Sequence, residues 1–281
     1  MNLSRRHTAI MSSQTYNSLT DKLRRSYASV LIQISGSLRK DQLDELVFYW
    51  AGLTTEKDSR ALDILRSVEN TGKISWEDVS FLKEGLRAVK REDLCKCLTV
   101  FEIKRDLSIL LNLYARKRNG TERSCGHALH PAKKVVDYLS IVMNQIEGGH
   151  YDDNIAVGSL VESTKNIRKV LVAFEKEVER ELMDPWSRLT LLVVIAGETV
   201  ASALAKDETQ YCDMNETLIV KLCCNGAEEL CSRMIKMGTW EEFCDHVEEQ
   251  YYRVSCQDER SLARKKIAEV VQKLKETRFF Q

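Results

Sequence analysis

Between Leu19 and Leu38 the apolar residues Leu19, Leu23, Tyr27, Val30, Leu31, Ile34 and Leu38 return at intervals of three and four. That interval lays them on one face of an α-helix and puts the intervening charges on the other. A second helix is predicted around Leu43, Leu46, Val47 and Trp50, closed by Gly52, since glycine ends helices at little steric cost. The run from Thr54 to Gly72 reads as a short third helix and a fourth. Ser75, with Asp78 three residues on, has the spacing of a capping box and opens a fifth helix bearing Val79, Leu82 and Leu86. A sixth follows from Arg91 to Phe101, with helical periodicity continuing to Tyr114. Six short helices joined by brief turns predict a small bundle that presents surfaces and encloses no cofactor.

Residues 115–130 are polar, basic and aperiodic, and read as a linker. Cys125, His127 and His130 lie within that basic region, yet three donors without a second cluster make no closed tetrahedral site, so no metal is expected. Beyond it, Val135, Val136, Leu139, Val142, Met143 and Ile146 mark an amphipathic helix ended by Gly148 and Gly149. Ile167, Val170, Leu171, Phe174, Val178 and Leu182 mark another, broken before Pro185. The stretch from Trp186 to Ala205 is apolar almost throughout, apart from Arg188 near its start and Glu198 inside it. A bilayer crossing needs about 20 apolar residues without an ionisable group, so this stretch is expected as the central, buried helix of a bundle. Glu198 then needs solvent, a polar partner or a shifted pKa. Two further helical patterns, Asn215–Ile235 and Trp240–Tyr252, precede a charged amphipathic helix at 257–281 carrying Leu262, Ile267, Val270, Val271 and Leu274. Lysine and arginine interrupt this last segment too often for a membrane span; it suits packing on the bundle, occupation of a groove, or peripheral contact with an anionic membrane.

Composition narrows the picture. Only 2 prolines and 12 glycines occur in 281 residues, too few turn formers for most β-rich folds, which favours an all-α protein. Charge balances at 42 basic and 42 acidic residues, with basic residues in excess up to Gly120 and acidic ones after it. Neither half is basic enough to predict nucleic-acid binding. Nine cysteines without paired CxxC motifs suit a reduced, cytoplasmic protein. Residues 1–15 lack the apolar core of a signal peptide and read as a disordered tail. No nucleophile–base signature and no phosphate-binding glycine pattern is present in the sequence, so neither an enzyme nor a cofactor is expected.

Specific runs of residues resemble two known families. The run "SYASVLIQISGSLRKDQLDELVFYWAGL", followed by "ISWEDVSFLKEGLRAVKREDL", resembles the death effector domain family from Tyr16 to about Phe101. Its most specific element is Arg91-Glu92-Asp93-Leu94, which matches that family's Arg-x-Asp-Leu motif. The resemblance implies a surface charge network between this motif and an acid at the start of the second helix. Gln42 stands where that acid is usual, leaving Asp41 or Asp44 to substitute. It also implies an exposed aromatic at Phe48, beside Tyr49, and partners that are themselves death effector domains, in adaptors or initiator caspase prodomains.

In the second half, "VVDYLSIVMNQ", "PWSRLTLLVVIAGE" and "GTWEEFCDHVEE" resemble, in order, the fourth, first and second homology motifs of the B-cell lymphoma 2 (Bcl) family of apoptosis regulators. This resemblance implies a groove that takes pro-apoptotic helices, with Arg188 as the carboxylate contact and Trp186, Ser187, Gly197 and Trp240 as its support. Pro185 and Ser187 replace an asparagine and a glycine of the motif, and the third homology motif is missing between Gly149 and Lys169. The expected organisation is a tail at 1–15, a death effector domain with a trailing helix at 16–114, a linker at 115–130, a Bcl-like domain at 131–256 and an amphipathic helix at 257–281. The expected function is non-enzymatic regulation of apoptosis, inhibitory in sense, cytoplasmic and peripheral at mitochondria. The alternative is a signalling scaffold whose Bcl-like bundle is structural and binds no helix.

Overall fold

The computed structural model describes residues 2–50, 60–120, 132–147, 167–168, 171–172, 175, 184–207 and 214–255. The expected short third helix, the Cys125, His127 and His130 cluster, most of the region between 149 and 183, and the amphipathic segment 257–281 lie outside the described residues. All regular structure among the described residues is helical: α1 (Asn2–Ser37), α2 (Lys40–Tyr49), α3 (Ala61–Asn70), α4 (Ser80–Ala88), α5 (Glu92–Arg118), α6 (Ala132–Glu147), α7 (Pro185–Asp207), α8 (Met214–Met237) and α9 (Trp240–Ser255). The chain forms two compact units, Leu19–Arg105 and, separately, Met1–Ser18 with Asp106–Gln281.

In the first unit the stripe on α1 is buried as its spacing requires: Leu19, Leu23, Tyr27, Leu31 and Ile34 are core, with Val30 and Leu38 half-buried. Leu46 of α2, Ile64, Leu65 and Val68 of α3, Leu82 and Leu86 of α4, and Leu94, Leu98 and Phe101 of α5 complete the core. Trp50, at the end of α2, stacks on Phe81 with ring centroids 6.0 Å apart. Its indole also lies on Gly85, where an added Cβ would stand 2.7 Å from Trp50 Cζ2; the helices meet this closely because position 85 has no side chain.

Several expectations change. α1 begins at Asn2, so the tail expected to be disordered is helical. Ser75 does not cap α4. Its hydroxyl accepts the N–H groups of Glu77 and Asp78 in a turn, at 3.2 and 3.1 Å. Asp78 instead holds the start of α4, its Oδ1 accepting from the Ser80 N–H at 2.9 Å and hydroxyl at 2.6 Å. Those two hydrogen bonds lower the Asp78 pKa, as expected for an acceptor strongest when ionised.

The largest change is α5. The sixth helix does not stop near Phe101; it runs unbroken to Arg118, so the first residues of the expected linker are helical. Glu92–Arg105 belongs to the first unit, and from Asp106 the helix belongs to the second. There every residue from Asp106 to Arg116 is buried, including the polar Asp106, Ser108, Asn112 and Arg116.

In the second unit α7 packs against α6, α8 and α9. It is long and apolar enough to cross a membrane, with mean hydropathy 1.6, but most of it is buried in the bundle. It shares the centre with α5. Lys117 of α5 pairs with Asp137 of α6, and Leu111 reaches Gly226 of α8, where an added Cβ would lie 2.9 Å from Leu111 Cδ1. The bundle therefore has two buried central helices where the sequence pattern predicts one. On its flank Arg233 of α8 donates to both carboxylate oxygens of Glu175, at 2.8 and 2.6 Å.

Candidate interaction surfaces

In the first unit, the chain between α4 and α5 turns Arg91 toward the start of α2. Arg91 Nε and Nη2 donate to the two oxygens of Asp93 at 2.8 and 2.7 Å, a fork that fits a carboxylate. Nη1 reaches across to Gln42 Oε1 at 3.0 Å and to the carbonyl of Ser37. Gln42 Oε1 also accepts the Arg39 backbone N–H at 3.2 Å, tying off the first turn of α2. The network therefore closes with a neutral amide oxygen in the place expected for an acid. Neither candidate substitute takes that place: Asp41 pairs with Arg39 at 3.2 Å, and Asp44 is exposed. The guanidinium draws the Asp93 pKa down to about 2.

Leu94 is buried, so the fourth residue of the motif anchors α5 and offers nothing to a partner. The accessible part of this surface is apolar and acidic. Phe48 is 84% exposed and Tyr49 49% exposed at the end of α2, and Asp41, Asp44 and Glu45 of the same helix are exposed. A phenylalanine left this far in water represents roughly 2 kcal/mol of burial available to a partner. Ile32 of α1 is exposed as well.

In the second unit the predicted residues divide between α7 and α9. Asp184 caps α7, its Oδ2 accepting the Ser187 N–H at 2.7 Å, and Pro185 occupies the first helical position, where a missing N–H costs nothing. Ser187 thus serves the cap through its backbone. Arg188, one turn in, is half-buried. α9 opens with a reciprocal capping box: Thr239 N–H donates to Glu242 Oε2 at 2.7 Å, and Glu242 N–H to Thr239 Oγ1 at 3.2 Å. These two starts meet through Trp186, whose ring lies 6.2 Å from Phe243 and 6.2 Å from the His246 imidazole. Trp240 is buried against Phe243 at 5.7 Å. Cys244 is no reactive thiol: burial, assisted by Asp106 and the acids of α9, pushes it up to about 12.

Gly197 and Glu198 belong to the interior. Gly197 lies under the Tyr114 ring, with Cε1 2.9 Å from where a Cβ would stand. Glu198, 6% exposed, accepts the Tyr114 hydroxyl at 2.5 Å and pairs with Arg118 Nε at 2.7 Å, both from α5. One turn on, Asn119 Nδ2 donates to the Ala201 carbonyl at 2.9 Å. The polar residue inside the apolar helix is thus the attachment point for α5. Glu198 stands out in the sequence as an acid in an apolar helix; Tyr114, Arg118 and Asn119 do not, because they stand on the helix expected to end and the linker expected to follow.

The death effector domain family model matches residues 27–104, the region that holds the Arg91 network and the α2 surface. A domain of this kind is a non-enzymatic protein-interaction module of apoptosis signalling that binds other death-fold domains. No curated protein and no solved structure matches the chain.

Proposed function

We propose, from the death effector domain at residues 27–104, that the chain is a non-enzymatic, inhibitory regulator of apoptosis in the cytosol, pairing with death effector domains of adaptors and initiator caspase prodomains. The observation that carries this reading is the exposure of Phe48 and Tyr49 beside the acids of α2, on a domain whose other large apolar groups are mostly buried. Full-length protein titrated with death effector domain partners tests it. Phe48→Asp places a charge where burial is needed and weakens pairing at least tenfold; pairing unchanged by that substitution refutes the assignment of this surface.

For the second unit the proposal is capture of an amphipathic pro-apoptotic helix beside Arg188, as the Bcl resemblance implies. The support is the position of Arg188, half-buried at the α7 start and two residues after Trp186 of the aromatic cluster. The competing reading is a purely structural bundle within a signalling scaffold. It is favoured by the internal packing of Trp186, Trp240 and Gly197. Titrating the full chain with such helical peptides separates the two: saturable binding lost in Arg188→Ala supports capture, and no saturable binding supports the scaffold.

A further inference from the structure

α5 runs for 27 residues without a glycine or a proline. Nothing in its sequence favours a kink, and the helix continues through Arg105 and Asp106, where the chain passes from the first unit to the second. The first glycine after it, Gly120, stands at φ +68°, a left-handed position of the kind that ends helices.

The backbone bonds at this crossing have a direction. In an uninterrupted α-helix each N–H donates to the carbonyl four residues earlier, so the amides of residues 106–109 take their acceptors from residues 102–105. The second unit thus receives its central segment with the first turn already formed. Residues 106–109 are all buried, and without those acceptors their amides would be orphaned in the interior. The stretch 106–118 would also have to start a helix anew, a step disfavoured about a thousandfold, and a segment of that length is marginal as an isolated helix in water. Burial helps it less than usual, because Asp106, Ser108, Asn112 and Arg116 are polar. Yet the second unit is built around it: Tyr114 covers Gly197, Leu111 reaches Gly226, and Glu198 meets Tyr114 and Arg118.

We propose that α5 makes the two units one cooperative folding unit, so that the second unit, with the Arg188 surface on α7, is stable only while the death effector domain holds the start of its helix. Stabilisation is then reciprocal: whatever firms α2 and Arg91 around the start of α5 firms α7 as well. The consequence for helix capture rests on the reading of Arg188 as a docking surface and adds a condition that the first domain sets. The coupling itself is read from folding, without a partner.

The slowest-exchanging amides of α3 and of α8 in the full chain, followed by mass spectrometry through a urea series, report the opening of the two units. Wild type loses both sets at one midpoint. Gln42→Glu, on α2, slows both sets alike, by up to about fivefold. Leu65→Ala, in the α3 core, speeds both alike, by about thirtyfold or more. Should that cavity prevent folding, the stabilising Gln42→Glu still decides. Two glycines inserted between Arg105 and Asp106 interrupt the inherited turn, and the sets separate, with α8 opening at lower urea. Separate midpoints in wild type, or an effect of Gln42→Glu or Leu65→Ala confined to α3, overturns the proposal. So does a glycine insertion that leaves α8 opening at its wild-type urea concentration. A single midpoint in a chain that captures no helix upholds the coupling and removes only the Arg188 reading.

Discussion

Replacing Glu198 with alanine tests the attachment of α5 to α7 directly. The substitution removes the acceptor of the Tyr114 hydroxyl and the ion-pair partner of Arg118. Tyr114 is 1% exposed, so a hydroxyl deprived of this bond costs about 1–3 kcal/mol. Arg118 retains 22% side-chain exposure and recovers part of its solvation, so its share is about 1 kcal/mol. Together these give about 3 kcal/mol, near the lower end of the range for breaking a buried pair. Glu198→Gln keeps the volume and one carbonyl acceptor and is expected to cost about half as much. Tyr114→Phe removes only the donor, about 1–2 kcal/mol. Hydrogen exchange of α7 amides in the full chain reads the loss where it arises. In a double-mutant cycle the Tyr114 and Glu198 losses must fall short of additivity by about 1 kcal/mol or more, because the second substitution finds the bond already gone. Additive losses, or a Glu198→Ala cost below about 0.5 kcal/mol, refute the view that this carboxylate holds the two helices together.

Other consequences concern the first unit. Gln42→Glu gives Arg91 a second carboxylate and places an anion in the first turn of α2; it should stabilise the domain by up to about 1 kcal/mol in low salt and less in high salt, measurable by urea unfolding. Gly85→Ala drives a methyl into Trp50, and the overpacking, about 1–3 kcal/mol, should outweigh the roughly 1 kcal/mol gained in helix propensity, giving a lower Tm. The Asp93 carboxyl, held down to about 2 from 3.8 by Arg91, contributes stability that is complete above pH 4 and is lost as pH falls toward 2. An NMR titration of Asp93 should show that midpoint, and Arg91→Ala should return it to the ordinary carboxylate range.

What the amino-acid pattern reveals here depends on whether a residue's partner is water or protein. The α1 stripe and the apolar body of α7 are legible because their buried positions are apolar and their spacing has one interpretation. The second half of α5 is not. Ser108, Asn112 and Arg116 recur every four residues, as a solvent-facing stripe would, yet all three are buried. Polar residues facing polar partners inside a bundle have the same period as polar residues facing water, so sequence alone reads a closing helix and a linker. Glu198 was conspicuous, but its partner Tyr114 lies 84 residues earlier, beyond any local pattern. The Arg91 network was legible in position and not in chemistry: the alignment singles out residue 42, and only the geometry shows an amide oxygen accepting where a carboxylate was expected.

The passage of α5 from one unit into the other bears on how the protein can be dissected. A polypeptide starting at Pro131 omits residues 106–118, and with them the ring on Gly197, the leucine on Gly226 and the Tyr114 and Arg118 groups that meet Glu198. It would carry a vacated slot with a carboxylate at its base and two glycines on its walls. Any amphipathic peptide with an aromatic and an arginine four residues apart is shaped to enter such a slot, as Tyr114 and Arg118 do. Helix capture by that fragment would therefore report complementation by a surrogate α5. A synthetic peptide of residues 106–120 competing for the same place would expose the artefact, whereas a native binding site beside Arg188 would ignore it.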